Sequence, residues 1–412
     1  MQEKKQSLVP ELRFPGFEGE WNYVQGDVLF ESISNKNHKS DLPILALTQD
    51  QGAVPRDLIN YNIQVSEKSV EGYKVVDIDD FIISLRSFQG GIEYSRYKGL
   101  CSPAYIVLRK KDKRLVSDFY RHFFKSFNYI QSLNRNLEGI RDGKMISYKQ
   151  FSEIKLPFPS YSEQQKIAEC LSSVDDLIRE EADQLQALKD HKKGLMQQLF
   201  PQAGKTTPKL RFPGFEGEWE VKKLGEIADV LQGVGFPDKY QGKKNGELPF
   251  YKVGDISAAV DRGEIIISKA ANYVDSSLLP TLHAKPIPVG STIFAKIGEA
   301  IRSNKRIRTG VPCLIDNNAA AVKAKNDDAD VFLFYLMSQV NLADYSGGIV
   351  PSVNKSTIEA ITVLIPHNPS EQQKIADCLS SLDEEISAQQ QKVEALKEHK
   401  KGLMQKLFPS LQ

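Results

Sequence analysis

The chain has 412 residues, with 54 Lys+Arg against 53 Asp+Glu and a formal net charge of +1. That length points to two or three domains with ample core, and 26% charged with 41% hydrophobic residues argues against wholesale disorder. No apolar run reaches the roughly 18–20 residues of a membrane helix, the opening MQEKKQSLVPELRF lacks the apolar stretch of a secretory signal, and Cys101, Cys170, Cys313 and Cys378 form no CxxC pair, which fits free thiols in a reducing cytoplasm better than disulfides or zinc.

In chain order, PELRFPGFEGEW (10–21) comes first. Residues 22–161 then hold strand-like runs at 42–48, 75–85 and 103–110, a helical stretch at 116–135 and a last strand at 153–159. SEQQ opens a long helix, with Ser162 as N-cap, Gln165 completing a capping box, and Pro201 as the stop. Its apolar residues Ile167, Leu171, Val174, Ile178, Leu185, Leu188, Leu195 and Leu199 keep heptad spacing, interrupted by Glu181 and Lys192. At about 38 residues the helix is roughly 57 Å long.

The plan then repeats. PKLRFPGFEGEW (208–219) matches the first segment at eleven of twelve positions. A second insert follows, with strand-like runs at 248–256, 263–269, 290–297 and 318–325, a helix at 330–340 and a strand at 358–366. SEQQKIADCLSSLDEEI (370–386) matches 162–178 at thirteen of seventeen positions, and LKEHKKGLMQKLFP (396–409) matches 188–201 at twelve of fourteen. Its seam is Ile375, Leu379, Leu382, Ile386, Val393, Leu396, Leu403 and Leu407, interrupted by Gln389 and Lys400. The chain is a tandem duplication: a nearly fixed frame around two strongly diverged inserts.

The expected domains are 1–161, 162–201, 202–369 and 370–412. Strands, one helix, then strands predict an α+β insert on a curved sheet, not a doubly wound nucleotide fold. A strict seam on a polar helix has to be covered by another helix, and the other copy is the natural partner. The pattern leaves parallel and antiparallel pairing open; packing of each helix on its own insert is the alternative. Polar residues at matching seam positions point to control of register.

Charge is biased to the inserts. Residues 22–161 carry 20 basic against 16 acidic residues and 220–369 carry 17 against 16, while both long helices are net acidic. In the first insert the candidate DNA contacts are Arg86, Ser87, Gln89, Arg96 and Lys98 around a glycine pair, and Arg135, Arg141 and Lys144 in a basic loop. In the second they are Lys296, Arg302, Asn304, Lys305, Arg306 and Arg308, with Asn354 and Lys355 in a second polar loop. Arg and Lys suit guanine edges and phosphates, Asn and Gln suit adenine, and Ser serves either.

Catalytic motifs are missing. AGKTTP (203–208) follows a helix and lacks the leading glycine of a phosphate loop, and no metal-ligand His spacing or NPPY/DPPY run occurs. The acid pairs Asp79–Asp80 and Asp175–Asp176 are expected on the surface.

Two diverged inserts, each framed by LRFPGFEGEW and by a SEQQKIAxCLSS helix ending in HKKGLMQxLFP, resemble the specificity subunit of type I restriction–modification systems over essentially the whole chain. The resemblance implies an α+β architecture: two globular target-recognition domains joined by two long helices packed as an antiparallel coiled coil, in a pseudo-two-fold tandem repeat. Each insert would read one half of a bipartite site in the major groove of double-stranded DNA. The helices would set the unread spacer and dock two methyltransferase subunits, and motor-nuclease subunits would join for cleavage. No cofactor is expected in this chain; S-adenosylmethionine, ATP and Mg would bind the partner subunits. The competing readings are a coiled-coil scaffold whose inserts bind protein and, disfavoured by the missing motifs, a self-sufficient enzyme on nucleic acid.

Overall fold

Two helices of 39 residues, Tyr161–Leu199 and Pro369–Leu407, carry the seams. Each starts slightly before SEQQ. Ser160, not Ser162, caps the first by accepting the Glu163 N–H (3.3 Å), and Asn368 accepts the Ser370 N–H (2.9 Å) at the second. Gln165 is exposed and closes no capping box. The computed structural model describes residues 8–39, 41–59, 70–85, 87–135 and 146–409. The chain divides into two compact units, Met1–Glu180 with Val393–Gln412 and Glu181–Lys392, so the division falls inside both long helices.

Helix ends meet helix starts in both units. In the first, Ile167, Ala168 and Leu171 share a core with Leu407 and Phe408, and Leu403 packs against it. In the second, Ile375, Ala376 and Leu379 share a core with Leu199 and Phe200, and Leu195 and Met196 pack against it. The pairing is therefore antiparallel. Along the seam Ile386 and Val393 are buried, and Val174, Ile178, Leu185, Leu188, Leu382 and Leu396 are half-buried. The same helix starts also join the aromatic cores of the inserts, so both packing alternatives contribute.

The repeated LRFPGFEGEW segment explains itself here. Arg13 donates to both oxygens of buried Glu163 (2.8 and 2.9 Å), and the Trp21 indole N–H donates to the same carboxylate (3.1 Å). Arg211, Trp219 and Glu371 repeat the arrangement. The segment thus clamps an acid in the first helical turn, where the helix dipole also favours it. The strand Asn22–Gln25 then pairs antiparallel with Lys155–Phe158, and Glu220–Lys223 pairs likewise with Thr362–Ile365. Each insert is closed at its base before the long helix departs.

Instead of one curved sheet, each insert divides its strands among several small sheets. The first insert holds an antiparallel sheet ordered Phe30–Ile33, Ile106–Lys110, Phe81–Ile83, Glu93–Tyr94, with two hairpin-sized pairs beside it. The second holds a five-stranded sheet ordered Ala228–Gln232, Ala319–Ala324, Thr292–Ala295, Arg306–Thr309, Ile266–Ile267, and a three-stranded sheet. Several expected runs are broken by local chemistry. The run 75–85 turns at Asp77–Asp80, where Asp79 takes φ 73°. The stretch 116–135 is two helices, Ser117–Phe123 and Phe127–Arg135. The run 248–256 leaves its strand at Tyr251, and Asp255 accepts the Lys252 N–H (2.8 Å) to start helix Val253–Asp261. The run 358–366 begins as the end of helix Lys355–Ala360. No helix among the described residues is long and apolar enough to cross a membrane.

Candidate nucleic-acid interface

In the first insert the glycine pair shapes the basic loop. Gly91 has φ 82°, and a Cβ there would lie 2.1 Å from the Phe124 carbonyl oxygen, so only glycine lets the loop pass the helix end. Lys125 fixes it by donating to the Gly90 carbonyl (2.9 Å) and to Glu93 (2.6 Å). Ser87 is fully buried, its hydroxyl accepting the Ser84 N–H (2.8 Å). It shapes the loop and presents nothing to a ligand. Gln89 is exposed. Beyond strand Glu93–Tyr94, Arg96, Tyr97 and Lys98 form an exposed turn, tied by the Ser95 hydroxyl donating to the Tyr97 carbonyl (2.7 Å). Lys98 pairs with Asp77 (3.0 Å), and Arg96 makes no ion pair among the described residues. Arg86, Arg141 and Lys144 lie outside the described residues, as does the side chain of Arg135.

The turn rests on an acid cluster that was expected at the surface. Asp80 is buried and takes two bonds from Arg109 (2.8 and 2.7 Å), while Asp79 accepts the Tyr94 hydroxyl (2.5 Å). The Lys98 hydrogen bond, aided by Arg109 and opposed by desolvation, holds the Asp77 carboxyl below its usual range. These acids brace the loop's base.

In the second insert the two candidate loops are stitched together. The Gly298 N–H donates to the Pro351 carbonyl (2.8 Å) and the Val353 N–H to the Lys296 carbonyl (2.9 Å). Arg302 and Lys355 are exposed, held loosely by Glu299 (2.9 Å) and Glu359 (3.5 Å). Lys305 pairs with Asp261 (2.6 Å). Asn354 is spent on structure: its side chain accepts the Thr357 N–H (2.8 Å) as a helix cap. Lys296 is half-buried against Gln232, and burial lowers its affinity for a proton.

Arg306 departs furthest from expectation. It is 6% exposed, lies 4.7 Å over the Phe294 ring, and donates to Asn304 (2.7 Å) and to the Lys305 carbonyl (3.0 Å). Its Nε has no hydrogen-bond partner among the described residues, and burial pushes its pKa down to about 9. As a central-sheet residue alternating with Ile307, it faces helix Asp330–Gln339 and cannot reach a groove without unfolding the strand. Asn304, at φ 50°, is its acceptor. Arg308 is half-buried beside Phe334 (5.8 Å).

The polar seam residues find partners on the facing helix. Glu181 accepts the Gln389 side-chain amide (2.6 Å) and pairs with Lys392 (2.6 Å). Lys192 pairs with buried Asp383 (2.5 Å), and Lys400 pairs with Asp175, the same frame positions in the other copy. Each insert completes its pair. Tyr335 donates to Asp383 (2.6 Å) beside Ser380, and burial, reinforced by Asp383, raises its pKa. In the first unit His122 takes that place, with Ser172 at 3.3 Å and Asp175 at 3.8 Å, and Arg121 reaches Asp175 at 3.4 Å. Burial, then the charges of Arg121, Lys400 and Arg96, hold the imidazole well below its usual range, so it is neutral at pH 7. Asp175 is thus no idle surface acid. The partner acids sit one place beyond seam residues Val174 and Leu382; a lysine inside an apolar seam was the signal that an acid must face it.

A family model described as type I restriction modification DNA specificity domain matches residues 21–190 and 216–398. The chain is 25% identical over 361 residues to the type I restriction enzyme MjaVIII specificity subunit of Methanocaldococcus jannaschii, covering 84% of this chain and 81% of that protein. To the putative MjaX specificity subunit of the same organism it is 23% identical over 408 residues, covering 93% and 90%. The type I restriction-modification S subunit from M. genitalium superposes with a TM-score of 0.60 at 15% identity, covering 98% of this chain and 100% of that one. A chain from a structure of type I R-M complex assembly and conformational transition gives 0.56 at 16% identity, covering 97% and 99%. At these identities the structural likeness speaks for the fold.

Proposed function

The chain belongs to the type I restriction modification DNA specificity family, and from that premise we propose how it divides the work of target recognition. It is a specificity subunit, the non-catalytic part of a type I restriction enzyme and DNA adenine methyltransferase complex. Each insert reads one half of a bipartite site in double-stranded DNA. The two long helices fix the unread spacer and dock two methyltransferase subunits, and motor-nuclease subunits join for cleavage. S-adenosylmethionine, ATP and Mg bind those partners.

The observation that carries this reading is the contrast between copies. The frame repeats the same clamps and ion pairs, residue for residue, while the inserts present different exposed loops: Gln89, Arg96 and Lys98 in one, Arg302 and Lys355 in the other. A constant frame serves identical partners, and variable polar loops serve a variable sequence.

Exchanging residues 22–161 for a different insert tests it. Methylated adenines mapped in the host genome should then show one altered half-site and one unchanged. Alteration of both halves refutes modular reading. DNA binding by the assembled complex should also weaken steeply with salt; salt-independent binding favours the protein-binding scaffold instead.

A further inference from the structure

The second candidate loop of insert two is polar along most of its length but not at its tip. Ile349 is wholly exposed, at 105% of its reference surface, and Val350 is 60% exposed beside Tyr345 at 43%. The tip is presented, not frayed. Gly347 and Ser352 exchange two backbone hydrogen bonds (3.3 Å each), Gly348 turns the chain at φ 90°, and the Pro351 carbonyl is held by Gly298. The chain therefore spends an ordered turn on holding two β-branched side chains in water, where apolar surface is disfavoured until something covers it.

The neighbours say what covers it. The segment stitched to this turn carries Lys296, Arg302 and Lys305, and Lys355 follows on the other side. An apolar tip on a loop flanked by the exposed cations Arg302 and Lys355 is a poor fit to another apolar protein face. It fits a polyanion that presents one apolar group in a polar groove. In the major groove that group is the 5-methyl of thymine, the feature with which small aliphatic side chains make contact. We propose that Ile349, supported by Val350, is a specificity-determining residue that packs on a thymine methyl in the half-site read by the second insert. Exposed Arg302 and Lys355 hold the phosphates while the tip enters the groove.

This rests on the DNA-reading function above, and the test separates the two. The full-length chain, assembled with its methyltransferase subunits, is titrated with duplexes carrying the recognised site. In one duplex deoxyuridine, which lacks only the methyl group, replaces thymine in the half-site of the second insert; in another it replaces thymine in the other half. Wild-type protein should bind the first about five- to tenfold more weakly than unmodified DNA. Ile349→Ser should weaken binding to unmodified DNA by a similar factor and bind the unmodified duplex and the first substituted duplex equally, with its melting temperature unchanged and its response to the second substituted duplex the same as wild type's. The proposal is overturned if that half-site contains no T·A pair, if wild type ignores the missing methyl, or if Ile349→Ser keeps the wild-type discrimination. Absence of specific DNA binding by the wild-type assembly would overturn the DNA-reading function itself.

Discussion

At the scale of single residues, the two arginines of the second insert separate cleanly. Arg302 is exposed and pairs with exposed Glu299, and Arg306 is a buried strand residue over Phe294. Arg302→Ala should weaken DNA binding by about 1–3 kcal/mol if it reads a base, with the melting temperature unchanged. Arg306→Ala should instead lower thermal stability, seen as an earlier calorimetric transition, because it removes packing and leaves Asn304 without its donor. Loss of binding by Arg306→Ala without loss of stability would contradict its placement. In sequence the two looked alike, since both sit in one basic run. What divides them is strand alternation in Arg306–Thr309, which begins inside that run and turns Arg306 toward the helix. Ser87 and Asn354 mislead for a related reason: Ser and Asn suit base edges and also cap turns and helices, and here they cap.

At the scale of elements, the Lys–Asp pairs fix the helix pair in one register. Asp383 is almost wholly buried between half-buried Lys192 and the Tyr335 hydroxyl, whereas Asp175 is 27% exposed. Asp383→Asn should therefore cost about 3 kcal/mol, since it leaves half-buried Lys192 facing a neutral, almost wholly buried side chain, and Asp175→Asn distinctly less, because solvent screens the partly exposed pair. Denaturant unfolding of the two variants checks the order; equal costs would show that burial does not govern these pairs. The helices were the most legible part of the chain, as a repeated heptad seam over many turns leaves little freedom. Their caps were less so: Ser160 and Ser162 are both plausible caps, and only the hydrogen bond to Glu163 decides. The inserts were least legible. Short strands punctuated by Asp77–Asp80 or by the start of helix Val253–Asp261 take their identity from neighbours distant in sequence, which no local pattern records.

At the scale of the whole molecule, duplication sets one constant frame around two different inserts. The clamp of Arg13 and Trp21 on Glu163 and that of Arg211 and Trp219 on Glu371 tie each variable insert to a constant helix start. Each insert also brings a polar residue to face the Ser–Asp pair of the frame, His122 in the first and Tyr335 in the second. If the helices measure the spacer, adding four residues between the first long helix and the second insert should lengthen the unread stretch of the site. Methylome mapping of such a variant reads the spacing directly, and an unaltered spacer removes the measuring role.

Because Leu407 and Phe408 share the first unit's core with Trp21, Phe119 and Phe123, that core stays incomplete on the ribosome until the helix Pro369–Leu407 has emerged. The second unit, contained within Glu181–Lys392, has all its parts earlier. Completion of the first unit thus has to follow synthesis of the second, against the usual N-to-C order of domain folding, and the nascent first insert waits, partly uncovered, for the second long helix.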